Sequence, residues 1–177
     1  MTGALDGRFD GLVGDTDPAM VIVTAAHEGE RAGCLVGFHS QASIEPRRYC
    51  LWLSKANHTT RVALRTTHLA VHPLSVDDGD LAELFGTTTG DEVDKLARCE
   101  WVPSDEGPPL LTDVPGRMVV RRVTLLDEGG DHLCVVTEPV RVDGVGPATP
   151  LRLSDVRHLA PGHGADDRPS PPTERAG

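Results

Sequence analysis

Positive charge is in short supply. The 177 residues carry 17 Lys and Arg against 27 Asp and Glu, a formal net charge of −10. Nucleic acids and anionic bilayer surfaces both select basic faces, so neither is expected as a partner. Long apolar runs are missing too, and none approaches the ~20 residues that span a bilayer. The stretch MTGALDGRFDGLVG lacks the basic and apolar regions of a secretory signal, so a cytoplasmic location is expected. Cysteine is scarce. Cys34, Cys50, Cys99 and Cys134 form no C-x-x-C pair, which leaves buried free thiols as their reading. There is no G-x-S-x-G, no G-x-G-x-x-G and no internal repeat.

What is present is a chain of ordinary globular composition, 38% hydrophobic and 25% charged, long enough for one domain with a real core. Leu5, Phe9 and Leu12 recur at helical spacing within residues 1–17, predicting a glycine-weakened helix with one stripe packed on the body. Residues 19–26 form a β-branched run that reads as a buried strand. A polar turn at 27–31 returns the chain into a second strand over 32–38, where Gly33 and Gly37 suggest a bulge or a close backbone approach by a ligand. Residues 39–47 read as a turn ended by Pro46, and 48–53 as a third strand. Asn57 or Thr59 caps a helix through Val62, Ala63 and Leu64.

Residues 68–76 are a fourth strand, followed by a short helix over 80–85 capped by Asp78 or Asp80. The polar stretch 87–107, with a helical piece at 92–97, is a long excursion of the kind that carries function or mobility. Residues 116–126 and 132–142 form a second hairpin around the turn at 127–131. Residues 150–159 are a last short strand or helix, and the proline- and glycine-rich stretch 160–177 is expected to be a disordered tail. The domain proper is thus 18–159. Six or seven strands with few short helices predict a mainly β, antiparallel barrel, with enough strand hydrophobicity left over for a dimer interface.

Two polar turns stand out. Ser40, Gln41 and Ser43 offer donors in one. Asn57, His58, Thr59 and Arg61 offer them in the other, at a helix N-terminus whose dipole favours an anion. Serine, asparagine and threonine also serve turns and caps for purely local reasons, which is the competing reading. His132, at the start of a strand after Gly129 and Gly130, could orient a nicotinamide or donate a proton; a solvated histidine is the plainer alternative. His68 and His72 lack the Glu of H-E-x-x-H. On one strand they would stand roughly 13 Å apart, too far to share a metal.

Taken together, several stretches resemble the flavin reductase family, the split-barrel FMN-binding reductases that supply reduced flavin to two-component monooxygenases. The resemblance runs from about Pro18 to Val142. Pro18-Ala-Met-Val-Ile-Val-Thr24 resembles the family's opening strand. Gly33 through Pro46 matches the length of its G-x-T-x-S-S-F-x-S-V-S-x-x-P segment, and Ser54 through Thr60 resembles its polar turn before a helix. Leu69-Ala-Val-His-Pro-Leu74 resembles its F-A-V-N-V-L strand, Leu81-Ala-Glu-Leu-Phe85 its L-A-x-x-F helix, and Gly130-Asp-His132 its G-D-H turn.

The resemblance implies a split β-barrel homodimer holding FMN, with FAD as the alternative, near the subunit interface. It implies hydride transfer to the flavin from NADH or NADPH, and a flavin-dependent monooxygenase as the partner served. By position, Val36, Gly37 and Phe38 would lie along the isoalloxazine. Ser40, Gln41 and Ser43 would lie near the ribityl phosphate, Ser54, Asn57, Thr59 and Arg61 would close the phosphate end, and His132 would sit near the nicotinamide. The chain departs from the pattern where Leu35 replaces threonine, Gly37-Phe38-His39 replaces Ser-Ser-Phe and Gln41-Ala42-Ser43 replaces Ser-Val-Ser. Hydroxyls are fewer, and His39 and Gln41 add other donors. A deazaflavin-dependent or other split-barrel oxidoreductase, and a non-catalytic flavin-binding barrel, are the competing expectations.

Overall fold

A computed structural model describes residues 2–160 and Gly162; the tail expected at 160–177 otherwise lies outside them. The chain begins with α1 (Thr2–Gly14) and the hairpin β1 (Val21–His27) and β2 (Glu30–Val36), followed by β3 (His39–Ser43), β4 (Arg48–Ser54), α2 (His58–Arg65) and β5 (His68–Pro73). A 3₁₀ turn leads into α3 (Gly79–Thr87). The excursion that follows carries a 3₁₀ segment at Lys95–Arg98 and a small hairpin, β6 (Trp101–Val102) with β7 (Leu110–Leu111). The long strands β8 (Gly116–Leu126) and β9 (His132–Gly144) and the single turn α4 (Leu153–Val156) complete it. Among the described residues no helix is long and apolar enough to cross a membrane.

Seven strands join in one antiparallel sheet, in the order β2-β1-β5-β8-β9-β4-β3. The strands β2 and β3 are its two ends and do not pair with each other. The seventh strand is β3, in the stretch expected to be a turn, and not the 150–159 segment. That segment contributes only bridges, Ser75 to Pro150 and Ala19 to Arg152, before α4.

Strand β1 shows why a continuous β-branched run was informative. Val21, Val23 and Ala25 face one core with Leu51, Leu53, Val71, Val120, Val135 and the α2 residues Val62 and Ala63. Met20 and Ile22 face a second core built from Leu74, Ala82, Phe85, Leu96, Leu111 and Leu151. A strand buried on both sides has no polar alternation to show. Its hairpin turns through Glu28 and Gly29, both at positive φ (48° and 85°), the pairing that a two-residue turn of this hand needs.

Gly33 has a different reason from the one expected. It pairs in register with Thr24, with no bulge there. A Cβ on it would stand 2.6 Å from Cε1 of Phe85. The close approach is by the α3 ring, not by a ligand. The caps divide likewise. Asn57 caps α2 as expected, accepting from Thr59 N–H. Asp78 sits at the α3 N-cap without capping it, and instead closes a capping box with Ser75 around the preceding 3₁₀ turn. In α1 the stripe of Leu5, Phe9 and Leu12 is 62–75% exposed and does not pack on the body.

His72 is fully buried and pins two layers together. Its Nδ1–H donates to the Ile22 carbonyl (3.2 Å) and its Nε2 accepts from Leu111 N–H (3.1 Å). Both ring nitrogens are committed to backbone, so it is no metal ligand. Burial pushes its pKa down to about 4 from 6.5. The folded value lies below the unfolded one. The neutral ring therefore stabilises the fold fully above about pH 6.5, and that contribution, roughly 3 kcal/mol, is lost as pH falls towards 4. Urea unfolding at pH 7 and pH 4.5 should show wild type losing roughly that much more stability on acidification than His72→Asn. Equal losses in the two proteins would remove His72 as the cause.

Candidate active site

A cavity of about 350 Å³ opens where β2, β4 and β9 end beside the C-terminus of α3. Three segments distant in sequence meet there. Val36, Gly37 and Phe38 come from the β2–β3 connection, Ser54 and Asn57 from the β4–α2 turn, and Asp131 and His132 from the start of β9. Sheet register does the positioning. Ser54 pairs with His132, and Trp52 with Cys134. Trp52 N–H also donates to the Phe38 carbonyl (2.9 Å), which carries the Phe38 backbone against β4.

The Phe38 and His132 rings lie 5.2 Å apart, tilted at 57°, within the contact range of aromatic pairs. His132 Nδ1–H donates to the Asp131 carboxylate (2.8 Å). A carboxylate can only accept, so the proton is fixed on Nδ1 and Nε2 is the ring nitrogen left for other chemistry. The two polar turns of the site are clasped. Lys55 N–H donates to the Asp131 carbonyl (2.9 Å) and Lys55 Nζ to the Asp127 carboxylate (2.6 Å).

The far wall is apolar and was not read from the sequence: Met20, Leu35, Phe85, Leu153, Val156 and Leu159, with Gly86, Thr88 and Thr89 at its edge. Trp52 was missed as well, although a signal existed. It stands two residues before Ser54 on one strand and so shares its face. Lys95 is buried beneath this wall and donates to the carbonyls of Phe85 (3.3 Å) and Thr88 (3.0 Å), closing the end of α3. Burial holds its pKa below the usual lysine value.

The other expected site residues are elsewhere. His39 is bound on both nitrogens, Nε2 to the Ala19 carbonyl (2.7 Å) and Nδ1 to the Tyr49 hydroxyl (2.6 Å). Burial lowers its pKa and raises that of Tyr49 to about 12. The pair ties the edge strand β3 to the chain before β1. Ser40 and Gln41 are exposed on β3; Ser40 donates to the Gln41 carbonyl (3.0 Å) and Gln41 Nε2 to the Ser43 carbonyl (3.2 Å). Thr59 is buried under α2, and Arg61 is paired with Asp91. None of these six residues lines the cavity. The four cysteines are free thiols; Cys134 is buried, which pushes it up to about 11 and leaves it inert as a nucleophile at neutral pH.

A family model described as "Flavin reductase like domain" matches residues 16–158. The FMN reductase (NADH) SmoA of Agrobacterium fabrum is 30% identical over 134 residues, 75% of this chain and 74% of that protein. The reductase component of a 4-nitrophenol 4-monooxygenase/4-nitrocatechol 2-monooxygenase from Rhodococcus opacus is 27% identical over 144 residues, 81% of this chain and 75% of that one. Among solved structures, a flavin reductase domain protein from Arthrobacter sp. FB24 superposes with a TM-score of 0.73 at 23% identity, covering 82% of this chain and 88% of that one.

Proposed function

The chain belongs to the flavin reductase like domain family, and on that footing we propose that it is an NAD(P)H:flavin oxidoreductase using FMN, with FAD as the alternative. The observation that carries the reading is the meeting of Val36, Gly37, Phe38, Ser54, Asn57 and His132 around one cavity. The residues fit a flavin ring. A flat, largely apolar molecule needs an apolar slot with a few polar groups at its edge. Phe38, Trp52 and Val36 supply the slot, and the β2–β3 connection presents bare backbone at Gly37.

Bound flavin supplies the hydride acceptor, and the protein's work is to bind and orient. Phe38 and Trp52 would hold the ring face, while Ser54 and Asn57 would offer polar contacts at the rim. His132, its tautomer fixed by Asp131, presents Nε2 as the polar group on the nicotinamide side. The apolar wall of Met20, Leu35, Phe85, Leu153, Val156 and Leu159 would exclude water from the bound ring. The catalytic unit is the domain 18–159, with 1–17 as an appended helix.

We further assign a cytoplasmic homodimer that hands reduced flavin to a monooxygenase. Exposed apolar side chains support the dimer: Val123, Leu126, Val140 and Val142 on β8 and β9, and Phe38 at the cavity mouth. The support for the monooxygenase is the naming of two relatives as reductase components or subunits. Steady-state oxidation of NADH or NADPH should be stimulated by added FMN or FAD. No stimulation with any pair would overturn the activity.

A further inference from the structure

Lysine is almost never buried without a carboxylate beside it, and Lys95 is. It is 5% exposed and enters no ion pair among the described residues. Its Nζ donates instead to the carbonyls of Phe85 (3.3 Å) and Thr88 (3.0 Å) and stands 5.5 Å from the centroid of the Phe85 ring. We propose that this ammonium, acting from behind the apolar wall, makes the cavity favour the reduced flavin ring, which carries a negative charge, over the neutral oxidised one. This rests on the reading of the cavity as a flavin site.

Three neighbours place the charge. Phe85 and Thr88, whose carbonyls it holds, both line the cavity, and so does Cys34. Lys95 and Cys34 are close enough to interact electrostatically. Burial pushes the Cys34 thiol up, so that group stays neutral and does not compensate the ammonium. Asp94, next in the chain, is turned to other work. Its carboxylate accepts from Leu96 N–H (3.1 Å) and Ala97 N–H (3.3 Å) and pairs with Arg31 (3.8 Å). The cavity lining holds no lysine or arginine among the described residues. Its one acidic group, Asp131, belongs to the sheet side and is bonded to His132.

The end of α3 explains why a cation is useful there. The last carbonyls of a helix lack intrahelical partners and carry partial negative charge. Bare, they would face a molecule that gains negative charge. In the proposed reaction a hydride leaves the nicotinamide with one proton and two electrons; the neutral flavin ring becomes an anion and the nicotinamide a cation. Fixed charge in a water-poor site acts strongly on such a change. An apolar side chain could fill the Lys95 position without the desolvation cost of an ammonium. The charge therefore answers to the site rather than to packing.

Two variants of the full chain separate charge from clamp. Lys95→Gln keeps N–H donors for the carbonyls and removes the charge; Lys95→Met removes both at similar length. Equilibrium ultrafiltration under anaerobic conditions gives the affinities for oxidised and for reduced FMN. Both variants are expected to lower the ratio of reduced to oxidised affinity by about tenfold, a fall of about 30 mV in the two-electron midpoint of the bound flavin, and Lys95→Arg to retain it. A purely mechanical clamp would weaken both forms together and leave the ratio alone. An unchanged ratio in either folded variant overturns the proposal and leaves the flavin site standing. Loss of fold in both variants assigns the ammonium to the fold and also overturns it. Wild type that binds neither form overturns the flavin site as well.

Discussion

A single methyl group placed on Gly33 is expected to lower the melting temperature by about 5 °C or more, and valine there by more still. The new Cβ would stand 2.6 Å from Cε1 and 3.0 Å from Cδ1 of Phe85, and 3.3 Å from Cγ2 of Thr24. The Phe85 ring cannot swing aside, because it is 2% exposed and packed with Ile22, Leu96 and Ala82. Overpacking of this kind costs roughly 1–3 kcal/mol. Phe85→Leu should lower stability alone but recover part of the loss when combined with Gly33→Ala, since the two sites share one volume. Thermal melts of both single variants and the double decide it. A Gly33→Ala protein that melts with wild type, or losses that simply add, would show that the ring is free to move.

The second large effect is on binding. Gly37→Leu should weaken flavin binding by at least about thirtyfold, roughly 2 kcal/mol, while the melting temperature stays near that of wild type. Gly37 lines the cavity, and a Cβ there meets only Met20, at 3.3 Å from Sδ and 3.4 Å from Cε. A thioether side chain adapts easily, so the added bulk is absorbed without unfolding and occupies the slot. Fluorescence titration beside a melt separates the two readouts. Unchanged affinity would mean that the flavin does not pass Gly37.

The same two glycines show how far the sequence could be read. A glycine within a strand pattern signals a bulge or a close approach; at Gly33 the approach exists, but the identity of the visitor was not encoded locally. At Gly33 it is a ring from α3, some fifty residues on. The β1–β2 and β8–β9 hairpins, the buried β1 and the Asn57 cap were legible because each depends on neighbours in sequence. Strand β3 was not. His39-Ser-Gln-Ala-Ser43 has no apolar alternation and is held by pairing to β4 and by the His39–Tyr49 contact, both set by the tertiary fold.

The polar turns were the hardest case. Their hydroxyls and amides looked like a convergence of donors, yet most are spent on local hydrogen bonds. The apolar wall, assembled from Met20 before β1, Leu35 of β2, Phe85 of α3 and the α4 region, left no pattern of its own. The helix α1 formed where its periodicity said, but its stripe faces outward because nothing in the described residues rises to meet it.

The clasp formed by Lys55 gives the cavity a rigid side and a soft one. Strands β4 and β9 are ladder partners over six residues, and the clasp extends that coupling into both turns. Phe38, Ser54 and His132 therefore travel as one block. The segment just past α3 has no ladder and is held by the buried Lys95 ammonium and by the Arg61–Asp91 and Arg31–Asp94 ion pairs. Anything seated in the cavity is therefore aligned from the sheet side, where the ladder fixes three of its walls' side chains relative to one another.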